Sequence, residues 1–141
     1  SSDPDFLEPD EVKASTGLKM ALEAGVPEEH VTFSSDGQGS LPVFYPDGTL
    51  KGLGVGKVTS LYREMRDAVL TDGVELSQAL RAVTANPAAL LKLPRKGRIA
   101  QAVDADLVLA DRKNLAIDIV MAKGVVMVSG GQAVRKGTFE G

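Results

Sequence analysis

The chain has 141 residues, 43% hydrophobic and 25% charged, an ordinary globular balance that argues against disordered, collagen-like and membrane-embedded classes. Zero cysteines exclude disulfides, thiolate metal sites and cysteine nucleophiles, and fit a cytoplasmic protein. A formal charge of −3 with 4% aromatics leaves neither a basic footprint nor a stacking surface for nucleic acid.

Asp10 and Glu11, behind Pro9, read as a helix start, with acids at the positive end of the dipole. Leu18, Ala21 and Leu22 supply the apolar spacing, and Gly25 with Pro27 ends the helix. His30 is the single histidine and reads as a surface or packing residue. Val31, Thr32 and Phe33 form a short β-branched and aromatic strand that runs into Ser34-Ser35-Asp36-Gly37. An acid at a strand's C-terminal end is how (β/α) barrels present catalytic side chains, and it is equally how strands end in turns. Ser34, Ser35 and Ser40 have no accompanying histidine base, so no serine-hydrolase triad exists within this chain.

Residues 42–51 read as a protruding hairpin around Pro46-Asp47-Gly48. The glycine cluster at 52, 54 and 56 lacks the GxGxxG spacing, since the third glycine would fall on Lys57. It reads instead as a flexible loop opening the next helix. Val58, Leu61, Tyr62, Met65 and Val69 give that helix its apolar face, and Leu76, Leu80 and Val83 give the face of a second. Asn86-Pro87 looks like an N-cap and first helical position, opening a short helix to Leu91. After Pro94 the texture changes. Residues 98–110 and 117–128 are rich in Val, Ile and Leu between glycines, at the spacing of perhaps four short antiparallel strands.

One histidine and no cysteine cannot assemble a typical zinc site, which needs three or four N, S or O ligands, so metal chemistry is expected to borrow ligands from elsewhere. The start at Ser1 rather than Met suggests a piece of something longer. Neither half looks self-sufficient.

Four blocks carry a resemblance. VTFSSDGQGSLPVF at 31–44 resembles the stretch of isoaspartyl dipeptidases, in the amidohydrolase superfamily, where the eighth barrel strand delivers a metal-site aspartate. TANPAALLKL at 84–93 and KGRIAQAVDADLVLAD at 96–111 are similar to superfamily elements, and AVRKGTFEG at 133–141 resembles the end of the dipeptidase group. Ala102 departs from the pattern, which has glycine there, so a slightly different turn is expected.

The resemblance implies an α/β fold. Residues 1–93 would be the C-terminal part of a (β/α)8 TIM-like barrel, and 94–141 strands of a small β-sandwich that the parent's N-terminal segment completes. It implies hydrolysis of β-aspartyl (isoaspartyl) dipeptides at a binuclear zinc site. Asp36 would be metal ligand and catalytic proton shuttle, and Ser40 would hold the substrate's α-carboxylate. Gly37 and Gly39 would leave room for substrate. The remaining ligands and pocket residues would lie upstream, in the rest of the barrel. The family's members form homo-oligomers, and the hairpin at 42–51 would be a contact or lid element. The alternatives are another amidohydrolase, dihydropyrimidinase-like or acting on N-acyl amino acids, or an inactive structural fragment.

Overall fold

A computed structural model describes residues 4–8 and 10–137. The Ser1 start, Pro9 at the expected helix opening and the last four residues of the C-terminal block lie outside the described residues. After a 3-10 turn at Pro4–Phe6, the chain forms helix α1 (Ala14–Glu23) and a second 3-10 turn (Glu28–His30). A hairpin follows, of strands β1 (Ser40–Phe44) and β2 (Leu50–Val55), then helices α2 (Ser60–Leu70), α3 (Leu76–Val83) and α4 (Ala85–Leu90). Strands β3 (Leu107–Ala110), β4 (Ile117–Ala122), β5 (Val125–Ser129) and β6 (Gln132–Ala133) complete it.

Helix α1 begins at Ala14 rather than near Pro9. The Glu11 carboxylate instead accepts the Glu8 N–H at 3.1 Å, and the Glu11 N–H returns to the Glu8 carbonyl, which closes a separate turn. Its end is as expected. Gly25 has φ +83, Gly25 N–H bonds Leu22 O and Val26 N–H bonds Ala21 O, the Schellman arrangement that satisfies the last carbonyls.

Leu18, Met65, Ala68, Val74 and Ala79 are buried together, with Leu22, Val31, Phe33, Tyr62, Val69 and Val83 packed against them. On α3 the buried face is Ala79 and Ala82, while Leu76 and Leu80 are exposed. Alanines let α3 sit close against α2. Leu80 and Val83 turn instead into a cleft of about 690 Å³ shared with Leu61, Leu91, Ile99 and Leu107. Glu64 is fully buried on α2, where its carboxylate accepts the Ser15 N–H of α1's first turn at 3.0 Å. A carboxylate there is favoured by the helix dipole.

The expected strand at 31–33 joins no sheet among the described residues. Val31 is extended (φ −104, ψ 130), but Phe33 N–H bonds Ala82 O at 3.0 Å. A strand needs a neighbouring strand's ladder, and helical residues stand beside this segment. The hairpin is as expected. Tyr45 and Gly48 close its turn with a 2.9 Å bond, Gly48 takes φ +82, and the Asp47 carboxylate accepts the Thr49 N–H and hydroxyl. The glycines at 52 and 54, read as a flexible loop, belong to β2.

The C-terminal sheet has order β3-β4-β5-β6, antiparallel throughout. Residues expected in strand from 98 to 106 form a loop instead. Lys96 pairs there with Asp104 at 2.9 Å and with Asp106, and Arg95 bonds Asp104. Two-residue turns at Lys123-Gly124 and Gly130-Gly131, all at positive φ, set the later hairpins. The sheet docks on α2 through Tyr62 Oη–H to Leu115 O (2.9 Å) and Arg66 Nε–H to Asn114 O (2.8 Å). No helix among the described residues is long and apolar enough to cross a membrane.

Candidate active site

The segment leading to Asp36 is held by Asn86, the residue expected as a helix cap. Asn86 lies within the first turn of α4, 5% exposed, and its amide donates to Glu28 O at 2.6 Å and Val31 O at 2.7 Å. Val31 O thereby gains the partner that a neighbouring strand would otherwise supply, and Glu28 O, which already accepts the Val31 N–H at 3.4 Å, gains a second. The N-cap is Thr84, and the Thr84 hydroxyl bonds back to Leu80 O.

Beyond Phe33 the chain turns sharply. Asp36 and Gln38 are non-glycine residues at φ +48 and +67, a region that disfavours side chains by roughly 1–2 kcal/mol each. Gly39 N–H bonds Asp36 O at 2.8 Å, closing a four-residue turn with its third residue left-handed, the type II pattern. Ser35, itself buried, accepts the Gly37 N–H on its hydroxyl oxygen. The Asp36 carboxylate is exposed and accepts the Ser34 hydroxyl at 3.2 Å. Backbone strain of this kind gathers where a side chain has to be aimed.

Ser40 opens β1, opposite Val55 of β2, and is exposed. Asp36 and Ser40 therefore stand at the two ends of one short turn. Gly37 and Gly39 serve the chain's own packing before any substrate. A Cβ on Gly37 would lie 2.4 Å from Val58 Cγ1, and one on Gly39 2.8 Å from Asp36 O. His30 is exposed on the second 3-10 turn. Among the described residues no group of three His, Asp or Glu side chains is gathered to hold a metal ion. Asp36 offers carboxylate oxygens of the type zinc accepts. Sequence reasoning does not reach Asn86 or Gly56; the Asn-Pro pair signals a helix start but not a side chain that bonds across the fold.

The sequence model of the amidohydrolase family matches residues 11–127, and the chain belongs to that family. Within it, the chain is similar to a beta-aspartyl dipeptidase from Fervidobacterium islandicum AW-1, solved in complex with a beta-Asp-Leu dipeptide. The two are 38% identical, with a TM-score of 0.76 over 94% of this chain and 34% of that one. Another beta-aspartyl dipeptidase structure from that bacterium matches at 33% identity and TM-score 0.72, over 94% and 32% of the two chains. An N-acetylglucosamine-6-phosphate deacetylase from Thermotoga maritima matches at 19% identity and TM-score 0.60, over 79% and 34%, a likeness of fold alone. The chain spans about a third of the length of the structures it matches.

Proposed function

We propose that this chain supplies the aspartate-bearing end of a metal-dependent β-aspartyl dipeptidase, the remainder of a (β/α)8 barrel and the second layer of the β-sandwich being provided by sequence beyond it. The observation that carries this reading is the 38% identity, over 94% of the chain, to a dipeptidase solved with a β-aspartyl dipeptide. The Asp36–Ser40 turn supports it locally. Asp36 would be one metal ligand, completed by donors outside the chain. Two zinc ions held there would supply the Lewis acidity that makes water a nucleophile at neutral pH.

The chain's own residues have two tasks. The Asp36 carboxylate takes a proton from the attacking water and returns it to the departing amine nitrogen. Its second oxygen would face the metal while the Ser34 hydroxyl steadies the first. Ser40, across the turn, donates its hydroxyl to the substrate's α-carboxylate, so the dipeptide is held at its far end while its amide faces Asp36. The same reading includes a cytoplasmic, homo-oligomeric enzyme.

The test is Asp36→Asn in the full-length protein, assayed with a β-aspartyl dipeptide and with a cyclic ureide. Wild type should cleave the dipeptide, and the variant should lose about 10³-fold in kcat with most of its zinc retained. Near-normal turnover in the variant, or wild-type preference for the ureide, would sink the reading.

A further inference from the structure

We propose that Gly56 is a positioning residue that sets where Asp36 and Ser40 stand relative to one another; this rests on the dipeptidase reading for its kinetic consequence but not for its structural one. Glycine is needed in proteins either for a backbone conformation or for a close approach. Gly56 is not among the residues at positive φ, which removes the first reason. The second is plain. A Cβ on Gly56 would lie 2.7 Å from Asp36 O, 3.3 Å from the Asp36 carbonyl carbon and 3.1 Å from Leu41 Cδ1.

Gly56 is buried and directly follows β2, where it is bonded on both sides to the turn. Gln38 N–H donates to Gly56 O at 2.9 Å, and Gly56 N–H donates to Gly39 O at 3.0 Å. Two residues of the turn thus face one residue of the partner, a bulge with left-handed Gln38 in its first position. The Asp36 carbonyl is wedged between the Gly39 N–H, 2.8 Å away, and the bare Cα of Gly56. One residue earlier, Val55 pairs with Ser40. Val55 and Gly56 therefore hold both ends of the turn, and the spacing of the two site residues is fixed by β2 rather than by the turn alone. This gives the third glycine of the 52–56 run its purpose. Gly54 has a different one, because its missing Cβ makes room for the Phe6 ring at 2.5 Å.

A methyl group at position 56 cannot be absorbed by a flexible side chain, because the nearest atom is backbone. The Asp36 turn must shift. Misplacing a reacting group by about 1 Å can slow a reaction around 10²-fold. In the full-length protein, Gly56→Ala should lower kcat for a β-aspartyl dipeptide about 10- to 100-fold, with KM changed less. Hydrogen exchange of the Gly39 amide, whose bond goes to Asp36 O, should accelerate about tenfold or more in the same variant. Gly54→Ala, which meets side chains rather than backbone (the Phe6 ring and, at 3.3 Å, Val43 Cγ2), should leave both within about twofold.

Unchanged Gly39 exchange in Gly56→Ala overturns the proposal whatever happens to turnover. Faster exchange with wild-type kcat overturns it too, since the turn would then move without consequence. If Gly56→Ala does not fold, exchange in the wild type decides. The Gln38, Gly39 and Gly56 amides should be protected together, and unprotected rates would refute the clamp. Should the wild type fail to hydrolyse β-aspartyl dipeptides, the dipeptidase reading falls alone, and the exchange measurement still judges Gly56.

Discussion

Left-handed backbone at non-glycine residues marks the points where this chain accepts strain for a reason, and one point where no reason is visible. At Asp36 and Gln38 the strained turn would serve the proposed site by aiming a carboxylate. At Leu115 (φ +53) the side chain is 8% exposed, so burial offsets the backbone term. Ala102 also has φ +63 but buries little and bonds nothing through its methyl group. The residue that departs from the superfamily's glycine thus keeps a glycine-like conformation. Ala102→Gly should remove about 1–2 kcal/mol of strain and lose up to about 1 kcal/mol through a freer unfolded chain. The expected net gain is roughly 0.5–1 kcal/mol, read as a higher urea midpoint at unchanged m-value. A lower midpoint would mean that the turn is not strained.

At the scale of elements, the loop before β3 is organised by charge. Lys96 bonds hold both Asp104 and Asp106 below the ordinary carboxylate range, reinforced by Arg95 at Asp104 and by the Lys123 N–H at Asp106. The Asp106 carboxylate accepts that N–H at 2.7 Å, so one side chain joins the loop to the β4–β5 turn. Folded values below the unfolded reference near 3.9 mean that these bonds stabilise the fold above that pH, and that their contribution is lost as pH falls through the folded values. Asp106→Asn should therefore flatten the decline of the urea midpoint below about pH 4; equal acid slopes in variant and wild type would show that the pairing does not matter.

The same elements show what local pattern can and cannot reveal. The helix ending at Gly25, the Pro46-Asp47-Gly48 hairpin and strands β3 to β5 are legible, because turn chemistry and apolar spacing are local, whereas the expected strand over 98–106 is a loop and β6 lies beyond the expected ranges. The strand at 31–33 is not legible either, because strand character depends on neighbours that this stretch does not specify. The roles of Asp36 and Ser40 rest on the resemblance of the 31–44 stretch and belong to the proposed function; the structure adds that one short turn separates the two. Asn86 and Gly56 were hidden, since their contacts to Val31 and Asp36 cross 55 and 20 residues of sequence and depend on the tertiary register.

On the scale of the molecule, the described residues leave unusual apolar surface uncovered. Leu53, Leu90, Leu91 and Ile99 are 73%, 70%, 65% and 89% exposed, and the last two line the cleft between helices and sheet. Apolar side chains gathered in one cleft, as Leu91 and Ile99 are, mark a place that something else covers. The proposed site has the same incompleteness. Zinc requires three or four donors, and at the Asp36 turn this chain offers one carboxylate, with no gathered group of three among the described residues. If the site is shared with sequence beyond the chain, the purified 141-residue polypeptide should retain well under one zinc per chain after dialysis and should not cleave a β-aspartyl dipeptide, whereas the full-length protein should do both. Stoichiometric zinc with turnover in the short chain would show that the ligands are assembled within it, and Asp36 would then need a different set of partners from the one proposed.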